Sequence, residues 1–198
     1  MRNTASIVLL AAASSVAMGG IVSIEGGFVK TTPDANDPLM NHGSADYVQG
    51  FAELANITLT EDIAVQLGDG SMGSLEAGTV VNSHMVYFDP EGDDLVTISD
   101  IDIEFDGEIL GLIVNDEVMV ATHDLLGLEE LNYYYGTDMN YGPNGAPDIE
   151  LFSGSTLNVS LRASAGDYFR VLTSSNVPSP SALAMLGLGG LVAGRRRR

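Results

Sequence analysis

An antiparallel, all-β sandwich, jelly-roll-like and carrying one short helix, is the fold class that this 198-residue sequence predicts. Three observations carry that expectation. Between the two ends, apolar and polar residues alternate over short stretches, the period of a strand that buries one face. Those stretches, roughly eight to ten of them, are separated by Gly, Pro, Asn and Asp clusters at the spacing of sandwiches and jelly rolls. The chain has no cysteine, so the core must be built from apolar packing alone, without disulfide or thiolate-metal staples.

Taken in order, residues 21–29 read as the first strand, and residues 31–50, with Pro33, Pro38, Gly43 and several Asn and Asp, as a long loop. Residues 55–60 alternate, and Ile63, Val65 and Leu67 alternate again before a Gly68-Asp69-Gly70 turn. Residues 78–88 are β-branched and aromatic, and the Asp89 to Asp94 stretch closes them as a turn. Residues 95–105 carry apolar positions in two registers, Val96 and Ile98, then Ile101, Ile103 and Phe105. A strand can keep both sets on one face only by inserting a residue, so a bulge is expected at Ser99-Asp100. The nearly continuous apolar run 109–114 predicts a central strand covered on both faces. Residues 122–131 predict a short helix capped by Thr122 or Asp124. Residues 133–147 form a Tyr/Gly/Pro/Asn loop, and 149–152, 156–163 and 168–173 are the last strands.

The ends read differently. Met1, Arg2 and Asn3 make a short positive start, residues 7–16 are apolar, and Ser15-Val16-Ala17 offers small residues for cleavage after Ala17. Residues 1–17 are thus expected to be a signal peptide, leaving 18–176 as one domain of a length that can bury a core. The last stretch, 177–198, has three parts in fixed order. Val177, Pro178 and Pro180 stiffen the chain and bar both helix and strand. An apolar helix then follows, shorter than the roughly 20 residues of a stable bilayer span. It ends in Arg195, Arg196, Arg197 and Arg198, which hold the terminus on the cytoplasmic side.

That tail resembles the PEP-CTERM sorting signal, with Ser179 standing where the family most often has Glu. The resemblance covers the last 22 residues and concerns address. It implies a bacterial precursor that inserts transiently in the inner membrane, is processed by an exosortase-type enzyme, and ends at the cell surface or is secreted. The stretches 81–90, 105–113, 124–127 and 157–173 resemble an uncharacterised extracellular β domain found before such tails. That second resemblance implies extracellular β structure and no catalytic activity.

Charge narrows the partners. Once both ends are removed, only Lys30, Arg162 and Arg170 stand against all 27 acidic residues. Such an excess repels nucleic acid and anionic membrane, and favours solubility and divalent cations. The absence of Trp argues against a sugar-stacking face.

Several residue groups raise the question of chemistry. Asp102-Ile103-Glu104-Phe105-Asp106-Gly107 begins like an EF-hand loop, but its twelfth position is Ile113 rather than Glu, and apolar residues fill every second place. A strand with an acidic outer face accounts for it better. Asp89, Glu91, Asp93 and Asp94 are the better calcium candidate, since a turn converges carboxylates and a hard cation relieves their repulsion. A solvated hairpin turn is the plainer account of the same residues. His42, His84 and His123 lack metal-ligand spacing, so core and capping roles are expected for His84 and His123. No nucleophile elbow or phosphate loop occurs. Tyr133, Tyr134, Tyr135 and Tyr141 suit either a sugar-binding patch or a packed loop.

The expectation is therefore an exported cell-surface or matrix protein with a structural or interaction role, no enzymatic activity and no resident cofactor. The alternatives are a calcium-dependent carbohydrate-binding module of an extracellular polysaccharide matrix and, further off, a polysaccharide-active enzyme.

Overall fold

In a computed structural model of the chain, residues 20–30, 47–88, 90, 96–129, 131, 133, 140–141, 149–163 and 167–175 are described. The signal stretch, most of the early loop, Asp89, Glu91, Asp93, Asp94 and the 177–198 tail lie outside them.

Two sheets face each other, as expected. The smaller is made of β1 (Ile21–Ile24), β8 (Val96–Phe105), β12 (Thr156–Ala163) and β11 (Ile149–Ser153), in that spatial order. The larger runs β2 (Phe28–Val29), β3 (Gln49–Ala52), β7 (Val80–Phe88), β13 (Asp167–Ser174), β9 (Ile109–Ile113), β5 (Ile63–Gln66), β6 (Met72–Leu75). Short β4 (Ile57–Thr58) also pairs with β7, and β10 (Asn140–Tyr141) with the start of β13. The described pairs are antiparallel except β2 with β3 and β10 with β13.

Alternation places the core. From the larger sheet, Val86, Phe88, Phe169, Val171 and Leu112 meet Ile103, Phe105, Leu157, Val159 and Leu161 of the smaller one. The intervening residues of the same central strands, among them Val81, Met85, Tyr87, Tyr168 and Leu172, point to the other face, where Met119, Leu126, Leu131 and Tyr133 cover them. The larger sheet is thus buried on both sides. That is why β7 and β13 are buried almost throughout and read as apolar runs, and why 109–114 was legible as a central strand.

The bulge falls where parity predicts it. On β8, Ile101 lies opposite Val159 and Ile98 opposite Leu161, so Ser99 and Asp100 together face the single residue Ser160. Asp100 takes a positive φ of 55° and its amide donates to Ser160 Oγ at 3.1 Å. This insertion lets Ile98 and Ile101 both pack on the intersheet core.

Three expectations are corrected. Residues 21–29 are two strands in different sheets rather than one. β1 pairs with β8, the chain turns at Gly26 with φ 62°, and β2 then pairs with β3. A side chain at Gly27 would stand 2.4 Å from the Val48 carbonyl, so the corner needs both glycines. Gln49–Ala52, read partly as loop, is a strand.

Finally, there are two short helices rather than one, and neither is capped by the side chain of Thr122 or Asp124. α1 (Asp116–Ala121) starts earlier, capped by Asn115, whose side chain accepts from the Val118 amide, with Asp116 and Glu117 in its first turn. Thr122 ends α1, and its hydroxyl turns back to the Val118 carbonyl at 2.7 Å, which removes it as a cap for α2 (His123–Leu126). Among the described residues no helix is long and apolar enough to cross a membrane.

Candidate functional site

The concentration of polar chemistry lies on the covered face of the larger sheet, at Glu53 and Arg170. Alternation along β3 turns Phe51, and Glu53 just beyond it, to that face, and the Glu53 amide extends the pairing by donating to the Ser83 carbonyl at 2.8 Å. On β13 the same parity puts Arg170 between Tyr168 and Leu172, and on β7 it presents Ser83 beside Met85. Both charged side chains are fully buried.

Their geometry is bidentate. Arg170 Nε donates to Glu53 Oε2 at 2.7 Å and Nη2 donates to Oε1 at 2.9 Å. The Ser83 hydroxyl donates to Oε2 at 2.7 Å, and the Tyr133 hydroxyl donates to Oε1 at 2.7 Å. Four donors fill the four lone-pair positions of one carboxylate. Arg170 Nη1 reaches Thr122 Oγ1 at 3.4 Å, and the Leu128 amide donates to the Tyr133 oxygen at 3.1 Å. The His123 ring packs edge-on against Tyr133, with centroids 4.7 Å apart. Burial, and then the Glu53 carboxylate, hold the Tyr133 phenol protonated far above its ordinary range. Burial and the neighbouring Arg170 charge push the His123 pKa below its ordinary value. A carboxylate whose acceptors are all occupied offers no base to a substrate. What the cluster does is join two central strands to the helical layer.

His84 lies on the opposite face of the sheet. It is fully buried, its Nε2 lies 3.0 Å from Thr173 Oγ1, and its ring tilts against Phe105 at 5.2 Å. Burial pushes its pKa down to about 4, opposed in part by the charges of Glu53 and Asp106. His84 is a core histidine, and His123 sits beyond the other face of the same sheet.

The structure separates the remaining sequence candidates. The EF-hand-like stretch is the end of β8: Asp102 and Glu104 are exposed while Ile103 and Phe105 are buried, so its carboxylates are splayed along a strand rather than converged. Asp102 accepts from Asn158 Nδ2 at 2.8 Å across to β12, a cross-strand pair on the outer face. Of the two readings of the tyrosines, burial of Tyr133 in the cluster fits the packed one at that position. Among the described residues no three His, Cys, Asp or Glu side chains are grouped to hold a metal. The calcium candidates Asp89, Glu91, Asp93 and Asp94, and the sorting-motif residues Val177, Pro178, Pro180, Arg195, Arg196, Arg197 and Arg198, lie outside the described residues.

Sequence reasoning missed the Glu53–Arg170 pair, although one signal for half of it was present. Arg170 is one of only three basic residues between the ends and sits inside the apolar run Tyr168-Phe169-Arg170-Val171-Leu172. A guanidinium buried in a central strand requires a carboxylate partner. Nothing in the pattern says which of 27 acids supplies it. No family model, curated protein or solved structure matches this chain.

Proposed function

We propose that the chain is the precursor of an exported, bacterial cell-surface or extracellular-matrix protein with a structural or interaction role rather than an enzymatic one. The observation that carries this reading is the order of the last 22 residues: Val177, Pro178 and Pro180, then a short apolar run, then Arg195 to Arg198. That order suits a transient membrane stop cut by an exosortase-type enzyme, and the signal-peptide pattern at the other end agrees with it. The buried cluster supports the same reading, because its strongest charged groups are saturated by one another. Mass spectrometry of the protein recovered from the outer fraction tests it. Peptides should begin at or after Met18 and stop near Val177. Intact Arg195 to Arg198 outside the cell would sink the reading.

A second reading, a calcium-dependent carbohydrate-binding module of a polysaccharide matrix, rests on Asp89, Glu91, Asp93 and Asp94. Next to them in the chain, Phe88 pairs with a further acid, buried Asp167. Thermal melts in NaCl and in CaCl₂ at matched ionic strength separate screening of the acidic surface from a bound ion. Superimposed melts, with glycan binding indifferent to calcium, would remove this alternative.

A further inference from the structure

The helical layer over the larger sheet differs from the rest of the molecule in how it is attached. Its backbone hydrogen bonds are local: Met119 to Asn115 at 2.9 Å, Thr122 to Val118 at 3.0 Å, Leu126 to Thr122 at 2.9 Å, Gly127 to His123 at 2.8 Å and Leu131 to Leu128 at 3.1 Å. None of the described backbone bonds of residues 115–131 reaches a strand. The layer is held by packing of Met119, Leu126 and Leu131, and by the hydroxyls of Thr122 and Tyr133 on the Glu53–Arg170 pair. Its helices, of six and four residues, are too short to persist away from the sheet.

From this attachment we propose that residues 115–129, with Leu131 and Tyr133, form a strap that opens as one unit from an intact sandwich, and that the Glu53–Arg170 pair is its catch. The physical reason lies in what the strap covers. Lifting it re-exposes apolar surface at Met85, Tyr87 and Leu172, which opposes opening. It also returns a carboxylate and a guanidinium to water, and regaining their hydration offsets much of that penalty. An all-apolar interface of the same size has no such offset. The intersheet core, packed through Val86, Phe169, Leu157 and Val159, lies on the other side of the larger sheet and needs no part of this motion.

Native-state hydrogen exchange on the full chain, followed amide by amide through low urea, tests the proposal. The amides of Met119, Thr122, Leu126 and Gly127 should exchange at least about 100-fold faster than those at the centre of β7 and β13, with a shallower urea dependence, as expected of a sub-global opening. Two variants then separate strap opening from global unfolding. Val159→Ala, in the intersheet core, should speed the β7 and β13 amides about tenfold or more and leave the strap amides unchanged. Tyr133→Phe weakens the closed state itself, so it should speed the strap amides by about tenfold. If the strap amides share the steep urea dependence of β7 and β13 in the unmutated chain, or if Val159→Ala accelerates both groups by the same factor, the strap does not open on its own and the proposal falls.

Discussion

Removing Arg170 together with Glu53 should cost little more than removing Arg170 alone. In Arg170→Met the Glu53 carboxylate keeps the Ser83 and Tyr133 donors but loses two charge-assisted bonds and its bidentate countercharge, in a site of zero exposure. An uncompensated buried charge of this kind costs about 3–5 kcal/mol. Glu53→Leu leaves the guanidinium facing Thr122 and should cost a similar amount. In the double variant neither charge remains. The residual cost is the loss of an acceptor by the Ser83 and Tyr133 hydroxyls, about 1–3 kcal/mol each when fully buried, partly repaid by apolar packing. The coupling energy of the cycle should therefore be about 3 kcal/mol or more, with the double variant close to either single one. Urea titration followed by circular dichroism at fixed NaCl is the assay, read as midpoint changes at constant slope. Guanidinium chloride is unsuitable because it would screen the acidic surface as it denatures. A single variant that fails to fold while the double one folds is the same result in stronger form. Additivity to within about 0.5 kcal/mol would refute the reasoning, because it would mean that neither charge depends on the other.

Two other outcomes are expected. His84 has a folded-state pKa of about 4 against an ordinary 6.5, so between those values the unfolded chain binds a proton that the native state refuses. Its contribution is fully present above pH 6.5 and is lost as pH falls toward 4, by about 3 kcal/mol. His84→Leu should lack that part of the pH dependence, and a difference curve between the two proteins that is flat from pH 7 to about 4 would contradict it. On β8, Ile103→Asp places a charge in the intersheet core and should destabilise by several kcal/mol, whereas Asp102→Asn, exposed and still able to accept from Asn158, should cost under about 0.5. Equal midpoint shifts in urea would overturn the assignment of faces.

The elements that were legible in advance share one property: a local pattern sufficed to specify them. Val96 to Phe105 shows its strand period and also the parity break that becomes the bulge at Asp100. The elements that were missed lack such a pattern. Gln49-Gly50-Phe51-Ala52 is largely buried, so it does not alternate in polarity. Met72-Gly73-Ser74-Leu75 has weak strand propensity and is held by its ladder to β5. In Asp116-Glu117-Val118-Met119-Val120-Ala121 two β-branched residues argue against helix locally, and the Asn115 cap together with burial of Met119 overrides them.

The sequence by itself determined which residues alternate, where the chain must turn, how acidic the surface is and what address the two ends suggest. Only the tertiary structure decided that residues 21–29 change sheets at Gly26, that the larger sheet is covered on its second face, and that Glu53 rather than another acid meets Arg170. That partnership spans 117 positions along the chain. Periodicity tells which side of a strand a residue faces, because that depends on the backbone alone. Which strand lies next to which, and therefore which charge meets which, is settled only when both apolar faces of the sheet have been buried.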